Sequence, residues 1–209
     1  MGRDRRLELW LLIVVLAIFG WSAAEPRDWF TWFLEILPVI IGLVLLGATY
    51  RRFRFTALAY LLIALHAGVL MVGAHYTYGE MPLFNWLQEG LGLERNYYDR
   101  LGHVAQGFFP AIVAREILIR LSPLNPGRWL NFLVLCVCLA ISAAYELVEW
   151  GVAMASGSAA VAFLATQGDP WDTHWDMLLA LVGAVASLML LSRAHDRALR
   201  RRQNKCSEI

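Results

Sequence analysis

Six apolar runs dominate this sequence: Leu7 to Ala24, about Phe30 to Tyr50, about Thr56 to Ala74, Leu101 to Ile119, Trp129 to Trp150, and about Asp176 to Leu191. Each is near the ~20 residues that a helix needs to cross the hydrocarbon core of a bilayer. No other feature restricts the fold so strongly, because only helices and closed barrels satisfy their backbone polar groups in lipid. Composition agrees. Charged residues make up 17% of the 209, against about 25% in soluble domains, and mean hydropathy is +0.53. The chain reads as an all-α, polytopic membrane helix bundle of about six transmembrane helices, forming a single integral membrane domain. The fourth run is the least clean, since it holds His103, Arg115 and Glu116. The sixth is short, which puts its first turn at headgroup depth.

The positive charges orient the spans. Fourteen Lys and Arg side chains fall before the first span, between the second and third, between the fourth and fifth, and after the sixth. The other side receives only Arg27, Arg95 and Arg100. Positive charge is retained in the cytoplasm, so both termini are expected there. The loops near 25–29, 75–100 and 151–175 then face outward, and 193–209 is a basic cytoplasmic tail, solvated or bound to lipid headgroups. Within the long outer loop, Met81 to Gly90 suits a short helix lying on the membrane with Phe84, Trp86 and Leu87 downward. Arg5-Arg6, the apolar stretch Leu9 to Gly20 and Ser22-Ala23-Ala24 also fit a secretory signal, whose removal would leave five spans.

Net charge is +1, so no global field points to nucleic acid. Of the three Cys, Cys136 and Cys138 lie inside a span and Cys206 in the tail, which leaves neither a disulfide framework nor a Cys-based zinc pattern. No nucleophile elbow, Ser-His-Asp order or phosphate loop is present.

The ionisable groups inside or beside spans are costly, and they gather at the outer ends. Asp99 and His103 are four apart at the start of span four, on one helix face. Glu146 and Glu149 are three apart at the end of span five. Asp172 and Asp176 are four apart at the start of span six, with Asp169 and His174 beside them. Glu35 lies near the outer end of span two. The inner ends look Arg-rich and solvated, with Arg115 and Glu116 neutralising nearby charges. Carboxylates and imidazoles contributed by several helices at one depth can build a metal site in a bundle, and hard or borderline divalent ions take such donors.

One reading makes His103, Glu146, Asp172 and Asp176 the ligands of a divalent metal ion, with Glu149 or Asp169 as general base and Asp99, His174 and Glu35 as further candidates. The activity would be metal-assisted, on a lipid or envelope-linked substrate. The same residues have blander roles: Asp176 as a helix cap, His103 as a hydrogen-bonded core histidine, and the Glu146–Glu149 pair as a partner of Arg100. A cation- or proton-coupled carrier and a non-catalytic membrane partner protein are the competing functions. Small residues at Ser142 to Ala144 and at Ala180, Gly183, Ala184 and Ala186 suggest that spans five and six pack closely below the site.

Three motifs carry a family likeness: "YDRLGHVAQGFFPAIVARE" (Tyr98 to Glu116), "SAAYELVEW" (Ser142 to Trp150) and "ATQGDPWDTHWDMLLALVGA" (Ala165 to Ala184). Together they resemble the YjdF-like family of bacterial inner membrane proteins, which implies the inner membrane as location and no particular chemistry. A more distant similarity is to VanZ-like membrane proteins, at Ser142, Glu146, Asp176 and Gly183. There Glu149 stands where that pattern has Gln, and Ala180 where it has Asn. This likeness implies a link to envelope polymers or lipids.

Overall fold

The computed structural model describes residues 3–156 and 161–207. Residues 1–2, 157–160 and 208–209, and the side chains of Arg3, Asp4, Val161, Ala162, Gln203, Lys205, Cys206 and Ser207, lie outside it. The described chain is helical, with no strand. In order it forms α1 (Arg3–Ser22), α2 (Trp29–Thr49), α3 (Ala57–Tyr76), a 3-10 turn (Tyr78–Glu80), α4 (Pro82–Leu91), α5 (Tyr98–Leu121), α6 (Arg128–Ser156), α7 (Val161–Leu164) and α8 (Asp172–Ser207).

By length and apolarity, α2, α3, α6 and Asp172–Arg202 of α8 can cross a membrane. The remaining two long helices, α1 and α5, have 20 and 24 residues, or about 30 and 36 Å at 1.5 Å per residue. They are interrupted by charge: Arg5, Arg6 and Glu8 in α1, and Asp99, Arg100, Arg115, Glu116 and Arg120 in α5.

Local chemistry sets several of these ends. Asp28 caps α2 by accepting from Thr31 N at 2.6 Å. Thr56 caps α3. Gly92 closes α4 in the left-handed region, at φ 64°, where a side chain would be strained. The helix expected near Met81 to Gly90 is present as α4, but its faces differ from expectation. Phe84 packs edge-on against Tyr98 at 5.4 Å, toward the protein. Leu83, Trp86 and Leu91 are its exposed large apolar side chains.

The segment with a signal-like pattern is bonded into the bundle. Ser22 is fully buried. It donates to Met71 O at 2.7 Å and accepts from Trp32 Nε1 at 3.0 Å.

The tightest crossing joins α5 to α8. A Cβ on Gly107 would stand 1.7 Å from Ala180 O, and one on Gly183 would stand 2.1 Å from Val104 O. The sequence suggested α6 against α8, and those helices do pack, through Ala184. The closest approach of the small residues on α8, at Ala180 and Gly183, is to α5. The helix α6 completes this core through Leu130, Val134 and Cys138, packed with Ala111, Ala184 and Leu188. Tyr78 wedges between α3 and α5, where Gly73 and Gly102 leave room for its ring.

At the Arg-rich end the structure departs from the sequence reading. Glu116 and His195 are both fully buried, and Arg115 nearly so. Arg115 Nη1 donates to His195 Nδ1 at 2.7 Å, so His195 Nε2 carries the proton that faces Glu116 Oε2 at 3.2 Å. Glu116 also accepts from Thr56 N at 2.9 Å, Thr56 Oγ1 at 2.7 Å and Arg120 Nη1 at 2.9 Å. Arg115 pairs with Asp196 at 2.8 Å. Because α8 continues through residue 207, the start of the expected solvated tail is packed: His195 and Leu199 are buried. These groups form a buried, hydrogen-bonded network rather than a solvated rim.

Thr56 therefore caps a helix and serves Glu116 together. Thr56→Val removes a cap worth ~1 kcal/mol and leaves a buried carboxylate oxygen short of a donor, at ~1–3 kcal/mol. The expected loss is about 2–3 kcal/mol, read as a lower midpoint of thermal unfolding in detergent.

Candidate functional site

The end of the bundle opposite the Arg-rich one carries two layers of buried charge. The deeper layer centres on His103, which α5 places one turn below Asp99. His103 Nε2 lies 3.6 Å from Asp99 Oδ1 and 3.7 Å from Asp176 Oδ1 of α8. Ligand-type atoms of Asp99, His103 and Asp176 all fall within 4.8 Å of one another, as do those of His103, Glu146 and Glu149. Three helices, α5, α6 and α8, thus meet around one imidazole.

The other ring nitrogen, Nδ1, lies 3.2 Å from Gln106 Oε1, on the next turn of α5. With Nδ1–H donating to that amide oxygen, Nε2 is the nitrogen that faces the carboxylates. Histidines that bind metals are oriented by an outer hydrogen bond of this kind.

The deeper layer is not internally satisfied. Glu146 Oε1 and Asp99 Oδ2 have no hydrogen-bond partner among the described residues, although both side chains are more than nine-tenths buried. Asp99 Oδ2 has only an ion-pair contact with Arg95 at 3.5 Å. Buried oxygens without donors are costly. Ser142 Oγ, one turn below Glu146, is buried and unpartnered as well. Tyr145 donates to Glu35 at 3.3 Å, which ties α6 to α2. Burial pushes the Tyr78 hydroxyl well above its ordinary range, and the charges of Glu35, Tyr98, Tyr145 and Asp99 add to this. It stays a protonated donor without an acceptor among the described residues.

The outer layer is an ion-pair network. Arg100 Nη2 donates to Asp172 at 2.7 Å and to Asp169 at 2.9 Å, while Nη1 pairs closely with Asp176. Arg95 Nη1 donates to Asp172 at 2.8 Å, and its Nη2 to Ala165 O at 3.2 Å. Nearby, Gln167 fixes the loop before α5: its Oε1 accepts from Asn96 N at 2.8 Å and its Nε2 donates to Asn96 O at 2.9 Å.

This separates the residues singled out from the sequence. His103, Glu146, Asp176 and Glu149 come together, joined by Asp99. Asp172 and Asp169 do not join them. Both guanidiniums, Arg95 and Arg100, engage Asp172 and Asp169 instead. His174 is exposed and stacks edge-on against Trp171 at 5.3 Å, away from the cluster. Glu35 is buried at the margin, bonded to Tyr145. Arg100 meets the aspartates before and within α8 instead of the Glu146–Glu149 pair. Arg95, Gln106 and Tyr145 went unnoticed in the sequence. For Gln106 a signal existed, three residues beyond His103 on the same helix face. For Arg95, in a polar loop, there was none.

Comparison with known proteins agrees with this reading of the chain as a membrane bundle. Residues 7–197 match the family described as "Predicted membrane protein (DUF2238)". The chain is 52% identical over 190 residues to the Inner membrane protein YjdF of Escherichia coli (strain K12), covering 91% of this chain and 90% of that protein. No solved structure matches. Neither match is to a VanZ-like protein. The chain belongs to the DUF2238 family of membrane proteins and is itself an integral protein of the inner membrane.

Proposed function

We propose that this protein is a six-span, single-domain enzyme of the inner membrane, with both termini cytoplasmic and a divalent-metal site just below the periplasmic surface. Its substrate class is a lipid or an envelope-linked molecule. The observation that carries the reading is the convergence of three helices on His103, with buried carboxylate oxygens of Asp99 and Glu146 left without donors. Metal–ligand bonds of ~2.0–2.2 Å set donors on opposite sides of an ion about 4 Å apart, close to the present spacing. Asp99, His103, Glu146 and Asp176 would hold the ion. When bound, it would polarise the scissile bond and acidify a water. Gln106 orients the imidazole. Glu149 accepts the proton of the attacking water. Arg100 and Arg95 hold the segment before α8 over the site through Asp169 and Asp172.

The six-span topology draws support from the alternation of Arg-rich and Arg-poor loops and from the pairing of Glu8 on α1 and of the charged residues on α5 within the bundle. A carrier would need a polar route between the outer cluster and Glu116–His195. The α5–α8 crossing at Gly107 and Gly183 sets backbone against backbone between them, which disfavours that function.

The test is elemental analysis of detergent-purified protein. One equivalent of a divalent transition metal per chain is expected, falling by at least about tenfold in His103→Ala and in Glu146→Gln. Asp172→Asn should retain it. Metal-free protein after growth and purification with added zinc or manganese would sink the proposal.

A further inference from the structure

We propose that a cavity on the other side of the bundle binds one anionic phospholipid, with an acyl chain inside and the phosphate at Arg5. The cavity follows from how α1 and α2 diverge. They meet at their shared loop, where Trp32 bonds to Ser22 and packs edge-on against Phe19 at 6.0 Å. Halfway down, Val15 and Val39 still share a core cluster with Ala67 and Met71. Toward the Arg-rich end the two helices enclose a space of about 650 Å³, backed by α3 and α5. Leu12, Gly42, Leu46, Ile63, Ala64 and Phe109 are among its walls. That volume is within the ~300–1,000 Å³ of ligand pockets. Apolar walls do not hold water, and an unfilled void forfeits dispersion contacts. In a bilayer, the chain of a neighbouring lipid is the nearest filler.

The mouth selects the headgroup. Glu8 lies on it, yet its carboxylate is already engaged: Arg54 Nη2 donates to both oxygens at 2.7 Å, and Tyr50 donates at 2.6 Å. Arg5 lines the same mouth, is exposed, and has no ion-pair partner among the described residues. An unmatched cation at the mouth and an apolar slot behind it suit a phosphodiester that carries an acyl chain. They do not suit a cation or a plain hydrocarbon.

Gly42 and Gly47 make the site testable, because both line the cavity and a Cβ on either meets nothing within 4 Å. Gly42→Phe and Gly47→Leu would add bulk on the cavity wall from positions where a Cβ is free of contacts. The experiment is native mass spectrometry of the full chain released from detergent, with phosphatidylglycerol or phosphatidylcholine added. The wild type should retain one phosphatidylglycerol per chain in preference to phosphatidylcholine. Either filling variant that stays monodisperse should hold it about tenfold less, and Arg5→Gln should erase the headgroup preference. Unchanged retention in the filling variants, no retained lipid in the wild type, or equal retention of both lipids by the wild type would each overturn the proposal. Should Gly42→Phe misfold, Gly47→Leu alone decides.

Discussion

Gly183→Ala is expected to destabilise this protein by about 3 kcal/mol, at the upper end of the cost of overpacking. The added methyl would lie 2.1 Å from Val104 O and 3.0 Å from Phe108 N. Both are backbone atoms of α5, so no rotamer change can relieve the clash and the helices must separate. Gly107→Ala meets Ala180 O in the same way from the opposite helix. Separation also reaches the candidate site. Asp176 is two turns above Gly183 on α8, and it must lie close to His103 and Asp99 on α5. Both variants should therefore lose bound metal together with stability. Gly68→Ala is the control. A Cβ there meets nothing within 4 Å, and replacing a helical glycine should add about 0.5–1 kcal/mol. Thermal unfolding of the three variants in one detergent separates these outcomes. A Gly183→Ala midpoint equal to that of the wild type would show that the α5–α8 crossing is looser than described.

Arg100→Met should cost about 3–5 kcal/mol, the usual penalty for removing one partner of a buried ion pair. Arg100 is 8% exposed and faces Asp169, Asp172 and Asp176 together. Without it, Asp169 and Asp172 keep only Arg95, and Asp176 keeps only His103. The deficit should narrow in acid, since protonated carboxyls need no counter-ion. Adding Asp172→Asn should restore part of the loss, because the pair shares one network, and a double-mutant cycle measures that coupling. Additive losses would mean that Arg100 and Asp172 act independently, against the 2.7 Å contact between them.

The two predictions draw on different layers of information. The glycines were visible in the sequence as small residues in an apolar run, but not their partner, because helix periodicity does not reveal which neighbour a face meets. In the same way, Asp172 and Asp176 are four apart, and spacing alone puts them on one face. The two part company because Arg95 and Arg100 reach Asp172 first, while Asp176 straddles both layers. Asp99 looked like an accessory to His103, and the folded chain makes it a principal member of the cluster. His195 sat beyond the last apolar run in a basic tail, yet it is fully buried between Arg115 and Glu116.

The sequence by itself determined the helices, the membrane and the end at which buried carboxylates and His103 concentrate. Those follow from hydropathy and spacing, which are local and additive along the chain. Only the tertiary structure decided which charge neutralises which, and so which oxygens remain free. Arg95 and Asp172 are 77 residues apart, and their pairing depends on how far each helix is rotated and where each loop returns. A carboxylate becomes a salt-bridge partner or a candidate ligand through those angles, and no local pattern encodes them.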